Sequence, residues 1–219
     1  MSNKQLTEEQ LLENYNKLLS YTELFPEPRK EKVLELYKEF ENQIIVAPCS
    51  ATNTYHGCYP GGYVVHVLNV IKNCIELYKT YKTCGLRIDN FTKEELVFSA
   101  MFHDLGKIGE KDVDALIPNT SEWHIKNQGK IYLKNPAIKH MLHEDRSLYL
   151  LQKYGVVVTD NEFISIRTHN GLFVDANRWY WELSNDKTNE FRNNLPIILH
   201  QADFMSYRLE CEQEGIFKQ

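Results

Sequence analysis

Long hydrophobic runs, paired cysteines and a surplus of positive charge are all missing from this sequence. No apolar run approaches the roughly 20 residues that a membrane-spanning helix needs. The N-terminus, Met1-Ser2-Asn3-Lys4-Gln5, leads into polar Thr7-Glu8-Glu9-Gln10 and offers no secretory signal, so a cytoplasmic protein is expected. The five cysteines are Cys49, Cys58, Cys74, Cys84 and Cys211. Their odd number, and the lack of any Cys-x-x-Cys pair, speak against a disulfide framework or a zinc ribbon and for reduced thiols. Lys and Arg total 25 against 30 Asp and Glu, a formal charge of -5, which excludes a surface that coats nucleic acid by bulk charge. There is no internal repeat, low-complexity tract or charge run. With 42% hydrophobic and 25% charged residues, the chain is not disordered. Its 219 residues suffice for a sizeable core without covalent staples.

Histidine is what the chain has in excess. There are 8, where average composition gives on the order of five.

The hydrophobic pattern is helical almost throughout. Thr7/Gln10, Thr92/Glu95 and Thr159/Glu162 have capping-box spacing and predict three helix starts. A further helix is expected from about Arg29 to Gln43. The irregular segment from Ala47 to Gly62 then gives way to a long helix from about Tyr63 to Tyr81. Another is expected from Pro136 to Tyr154, with His143 near its middle, and a last one from about Pro196 to Cys211. Between 122 and 134, Trp123–Lys126, Asn127-Gln128-Gly129 and Ile131–Leu133 read as a small β-hairpin. Phe173, Trp179, Tyr180 and Trp181 mark an aromatic loop. The fold class predicted is all-α with one hairpin insertion, as a single domain over residues 1–219.

Residues of metal-ligand type recur about once per helix: His66, the pair His103-Asp104, His143, His169 and Asp203. Each lies within or beside an apolar helical pattern, where a buried polar group is costly unless partnered. A shared metal would satisfy all of them at once.

The local contexts are specific. Tyr59-Pro60-Gly61-Gly62-Tyr63-Val64-Val65-His66, His103-Asp104-Leu105-Gly106-Lys107, His169-Asn170-Gly171 and His200-Gln201-Ala202-Asp203 together resemble the HD-domain metallohydrolase superfamily. The resemblance spans roughly Ala47 to Glu210 and leaves the N-terminal helices, residues 1–45, outside it. It implies an HD-domain helical bundle in which His66, His103, Asp104 and Asp203 bind one divalent metal. His143 and His169 would complete a second site bridged by Asp104. Nitrogen and carboxylate ligands suit Mn, Fe, Co, Ni or Zn. The chemistry implied is hydrolysis of a phosphoester by metal-activated water. A small nucleotide or short oligonucleotide is the expected substrate, because the RNA-binding domain that usually accompanies the exoribonucleases of this superfamily is not visible in the sequence.

Lys107, one turn beyond His103, is a candidate for contacting the substrate phosphate or the transition state. Arg146, three residues after His143, and His56, before the Gly-Gly turn, are further substrate-binding candidates. His200 shares a helix face with Asp203 and is expected to hydrogen-bond behind the ligands rather than ligate. His124 and His140 are read as background. Two other readings stay open: an HD-fold di-iron oxygenase, which uses a similar six-ligand set, and a non-catalytic nucleotide-binding sensor.

Overall fold

The computed structural model describes residues 5–181 and 193–217. Helices dominate. α1 (Glu8–Ser20), α2 (Arg29–Glu39) and α3 (Glu41–Val46) precede a long α4 (Gly62–Thr83). α5 (Lys93–Phe102), α6 (Glu122–Gln128), α7 (His143–Lys153) and α8 (Asp160–Thr168) follow, then the single turn α9 (Arg178–Trp181) and α10 (Leu195–Gln213). No described helix is long and apolar enough to cross a membrane.

All three capping boxes form. Thr7, Thr92 and Thr159 each accept from the third residue of the helix, whose side chain bonds back to the cap. One contiguous apolar core draws on α1 (Leu18), α2 (Leu36, Tyr37), α4 (Tyr63, Val67, Ile71), α5 (Phe98, Phe102) and α10 (Ile198, Leu199). Each such buried side chain contributes about 1.5–3 kcal/mol relative to leaving it in water. The N-terminal helices are locked in by Arg29. Its guanidinium bonds Glu94 at 2.8 Å, pairs with fully buried Glu162, and lies 3.7 Å from the ring centroid of Phe98.

Four expectations need correction. The helix expected over Arg29–Gln43 is two helices, parted at Phe40 (φ -105°, ψ 11°), whose ring turns inward against Tyr154. The hairpin expected within 122–134 has different arms. Residues Glu122–Gln128 are helical, capped by Ser121 at one end and by left-handed Gly129 (φ 63°) at the other. The strand β4 (Tyr132–Lys134) instead pairs antiparallel with β3 (Leu116–Pro118), so α6 lies inside the hairpin. Ser121, Glu122 and Gly129 are helix start and stop signals, and Gly129 ends a helix instead of turning between two strands. A smaller ribbon, β1 (Gly109–Glu110) with β2 (Val113–Asp114), precedes it. The long helix over Pro136–Tyr154 begins only at His143, because Asn135 Oδ1 accepts from Ala137 N (3.0 Å) and bends the preceding chain into a turn. Finally, the aromatic stretch winds into short helical turns, Gly171–Phe173, Asp175–Asn177 and α9.

Gly106 follows α5 in a 3-10 turn (Leu105–Lys107) against α7. A Cβ there would stand 2.1 Å from the His143 carbonyl oxygen. Its N–H donates to Ser147 Oγ at 2.8 Å, so turn and helix are bonded as well as packed. Gly106→Ala is therefore expected to lower unfolding free energy by about 1–3 kcal/mol, read from urea denaturation. Unchanged stability would show that this contact is loose.

Candidate metal centre

Five helices bring the ligand-type residues to one point. His66 sits in the first turns of α4, and the turn that launches α4 sets its direction. Gly61 is left-handed (φ 82°), and a Cβ on Gly62 would lie 2.2 Å from the Gly57 carbonyl oxygen. His103 and His169 cap the C-terminal ends of α5 and α8, Asp104 comes one residue after His103, His143 opens α7, and Asp203 lies in mid-α10. Thus His143 is at a helix start rather than in mid-helix.

The helix ends orient the rings. The last carbonyls of a helix lack partners within it. Ala100 O accepts from His103 Nδ1 at 2.9 Å, and Ile166 O accepts from His169 Nδ1 at 2.7 Å. A proton on Nδ1 leaves Nε2 as a bare lone pair, the form that ligates metals. His66 Nδ1 faces Glu210 Oε2 at 3.0 Å, and His143 Nδ1 lies 3.3 Å from Glu144 Oε2. All four Nε2 atoms turn to the same interior.

Asp104 stands between them. Its Oδ2 lies 3.6 Å from His66 Nε2 and 3.4 Å from His103 Nε2. Its Oδ1 lies 3.3 Å from His143 Nε2 and 3.7 Å from His169 Nε2. Asp203 Oδ1 joins the first group, 3.1 Å from His66 Nε2 and 4.0 Å from His103 Nε2. Within each of the groups His66–His103–Asp104 and Asp104–His143–His169, the ligand atoms lie within 4.8 Å of one another. His143 and His169 meet Nε2 to Nε2 at 3.3 Å. Buried His66 Nε2, His103 Nε2 and Asp104 Oδ1 have no well-directed hydrogen-bond partner among the described residues. Buried polar atoms without a well-directed partner, converging from two sides of one carboxylate, fit divalent cations.

Burial pulls the Asp104 carboxyl up, but Lys107 and His103 hold it well below the ordinary carboxylate range. For Asp203, too, burial raises the pKa, yet His66, with Nε2 3.1 Å away, and His103 bring it down overall. Burial and neighbouring His103 push His169 down to about 3, and burial likewise lowers His143. His66 is the exception. Burial disfavours its charge, but Cys49, Glu210 and Asp203 outweigh this and raise its pKa well above that of free imidazole. Lys107 stays an ammonium: desolvation opposes its charge, and Asp104, 2.5 Å away, more than restores it.

The three substrate-binding candidates differ in placement. Lys107 reaches both Asp104 and a cavity of about 500 Å³ that opens beside His143 and Cys49. His56 faces the cluster, with Nε2 3.2 Å from Cys49 Sγ and its ring 4.6 Å from that of His66. Arg146 lines the cavity but is buried and engaged. Its Nη1 bonds Glu110 at 2.6 Å and its Nη2 bonds the Lys139 carbonyl. It holds the cavity wall in place. His200 Nδ1 donates to His169 O at 2.7 Å, behind the ligands as expected. His124 is exposed on Ser121, whereas His140 proves to line the cavity.

Two residues escaped the sequence reading. Glu210 orients His66 and lies seven residues, two turns, after Asp203 on one face of α10, a periodicity that was readable. Cys49 groups with His56 and His66 from the irregular segment before α4, where no periodic signal exists. Comparison with known proteins returned no family model, no curated protein and no solved structure that matches the chain.

Divalent transition metal should raise the melting temperature; saturation at 100 times Kd corresponds to about 2.7 kcal/mol. Because His66 must release its proton to ligate, the gain should be larger at pH 8 than at pH 6. Asp104→Asn should remove most of the shift in thermal denaturation. A shift that persists in that variant would place the ion elsewhere.

Proposed function

We propose that this chain is an HD-type metal-dependent phosphohydrolase acting on a nucleotide or short oligonucleotide. The observation that carries this reading is Asp104, whose two oxygens face two separate histidine pairs. In it, His66, His103, Asp104 and Asp203 hold one divalent ion, and Asp104, His143 and His169 hold a second. Bound ions would acidify a water and neutralise charge on a phosphoryl oxygen.

The chain's own residues supply the rest. Lys107, a buried-stem ammonium at the cavity wall, binds a phosphate oxygen and stabilises the charge that builds there. Glu210 and the helix-end carbonyls keep the imidazoles aimed inward, so little reorganisation is needed when substrate binds. Ser147 Oγ accepts from Gly106 N and lies 2.9 Å from His143 O and 3.2 Å from His103 O, holding the two ligand-bearing segments in register.

The test is a screen of mono- and diester substrates and nucleotides, performed with and without oxygen under Mn, Co, Ni, Mg and Fe. Asp104→Asn is expected to abolish turnover. Lys107→Met should lower kcat by about 10²-fold while metal content stays constant. Turnover that needs both iron and oxygen would favour the oxygenase reading, and full activity in Asp104→Asn would overturn the metal-dependent mechanism.

A further inference from the structure

The cavity beside the cluster contrasts with the chain around it. Acidic residues outnumber basic ones, 30 to 25, yet no Asp or Glu is among the residues lining this cavity. Four cations are: Lys107, Lys134, Lys139 and Arg146. Their commitments divide them. Lys107 is paired with Asp104 and Arg146 with Glu110. Lys134, at the end of β4, and Lys139, in the loop before α7, form no ion pair among the described residues and are exposed.

The wall bearing them is built before any ligand arrives. Asn135 Nδ2 donates to Asp114 O at 2.9 Å while its Oδ1 shapes the next turn. Arg146 grips the backbone carbonyl of Lys139 itself. Apolar side chains occupy the same lining: Leu116, Ile138, and Met141 and Leu142, which are 40% and 46% exposed. A volume of about 500 Å³ lies within the ordinary range for small-molecule sites.

We propose that the substrate carries two phosphate groups. The scissile one sits at Lys107 and the histidine–aspartate cluster. The second, which does not react, is bound by Lys134 and Lys139, with the organic part between them against Leu116, Ile138 and Met141. This rests on the phosphohydrolase reading. In turnover, an oxygen from water forms the new bond to the scissile phosphorus, the P–O ester bond breaks, and the departing oxygen takes up the water's proton. A nucleoside bisphosphate and a 5′-phosphorylated dinucleotide share the required chemistry.

The experiment uses the full chain loaded with Mn and three ligands: adenosine 5′-monophosphate, adenosine 3′,5′-bisphosphate and 5′-phosphorylated diadenylate. Both kcat/KM and calorimetric Kd are measured. At least one two-phosphate ligand should exceed the monophosphate about tenfold in each, as a charge-assisted contact predicts. Whichever of the two leads identifies the source of the second phosphate. In the Lys134→Ala/Lys139→Ala double variant that advantage should collapse, through KM rather than kcat. Equal handling of one and two phosphates would overturn the proposal while turnover upheld the hydrolase. An advantage that survives the double variant would likewise overturn it. A lysine-dependent binding advantage without turnover of any ester would uphold the two-phosphate site and overturn the hydrolase reading; neither binding nor turnover would overturn both.

Discussion

The structure depends on concentrating electron-pair donors in a largely buried cluster. His66, His103, His169 and Asp104 are almost fully buried, and His143 and Asp203 close the group. Buried carboxylates cost several kcal/mol each unless positive charge or hydrogen bonds compensate. Here the protein supplies two compensating groups, the Lys107 ammonium and His66, whose raised pKa favours the imidazolium. They serve one side of the cluster. Around Asp104 Oδ1 stand the Nε2 atoms of His143 and His169, 3.3 and 3.7 Å away, and His169 donates from Nδ1 to Ile166 O, which leaves its Nε2 as a lone pair. The C-terminal ends of α5 and α8 add negative dipole potential at the same place, against the N-terminal ends of α4 and α7. Donor atoms gathered in this way could hold a metal ion.

The same constraint explains why His103 and His169 lie at helix ends. A ring away from a helix C-terminus must find a partner for Nδ1 on another element, as His66 does in Glu210, 144 residues away in sequence. A ring at a C-terminus finds one in the carbonyl three residues back, already lacking a partner. His103 and His169 use this local solution, which makes their orientation a property of the helix end. Both segments then need close backbone approach to their neighbours. Gly106 against α7 provides it beside His103, and Gly171, left-handed at φ 55° and packed on the His200 ring, provides it beside His169.

Much of this was legible in the sequence, for identifiable reasons. Capping boxes are local, so Thr7, Thr92 and Thr159 announced their helices. The His and Asp positions were legible because polar residues recurring in apolar helical patterns need a common explanation. What depends on pairing at long range was not. The pairing of Arg146 with Glu110, 36 residues earlier, is not visible in the sequence around it, which offers only a cation one turn from His143. The hairpin was misplaced for a related reason: the true partner of Tyr132–Lys134 lies beyond an intervening helix, and the nearer segment offered a plausible but wrong register. Cys49 carries no signal at all until the chain around Pro48 folds back.

The ligand set alone does not separate hydrolysis from oxygen activation, since both use nitrogen and carboxylate donors and differ in the redox chemistry of the ion. The cavity wall bears on the choice. An uncharged substrate gains nothing from unpaired lysines, and a chain with an acidic excess would more readily line the cavity with mixed charge. Instead the wall excludes carboxylates, and its cations fall into two kinds. Arg146 and Lys107 are held by Glu110 and Asp104 and give the wall its shape, whereas Lys134 and Lys139 keep their charge unshared. The two exposed, unshared lysines on this wall offer an anionic group a partner that an uncharged group could not use. In the proposed reading, those lysines stand beside a cluster whose bound cations would neutralise phosphoryl oxygens.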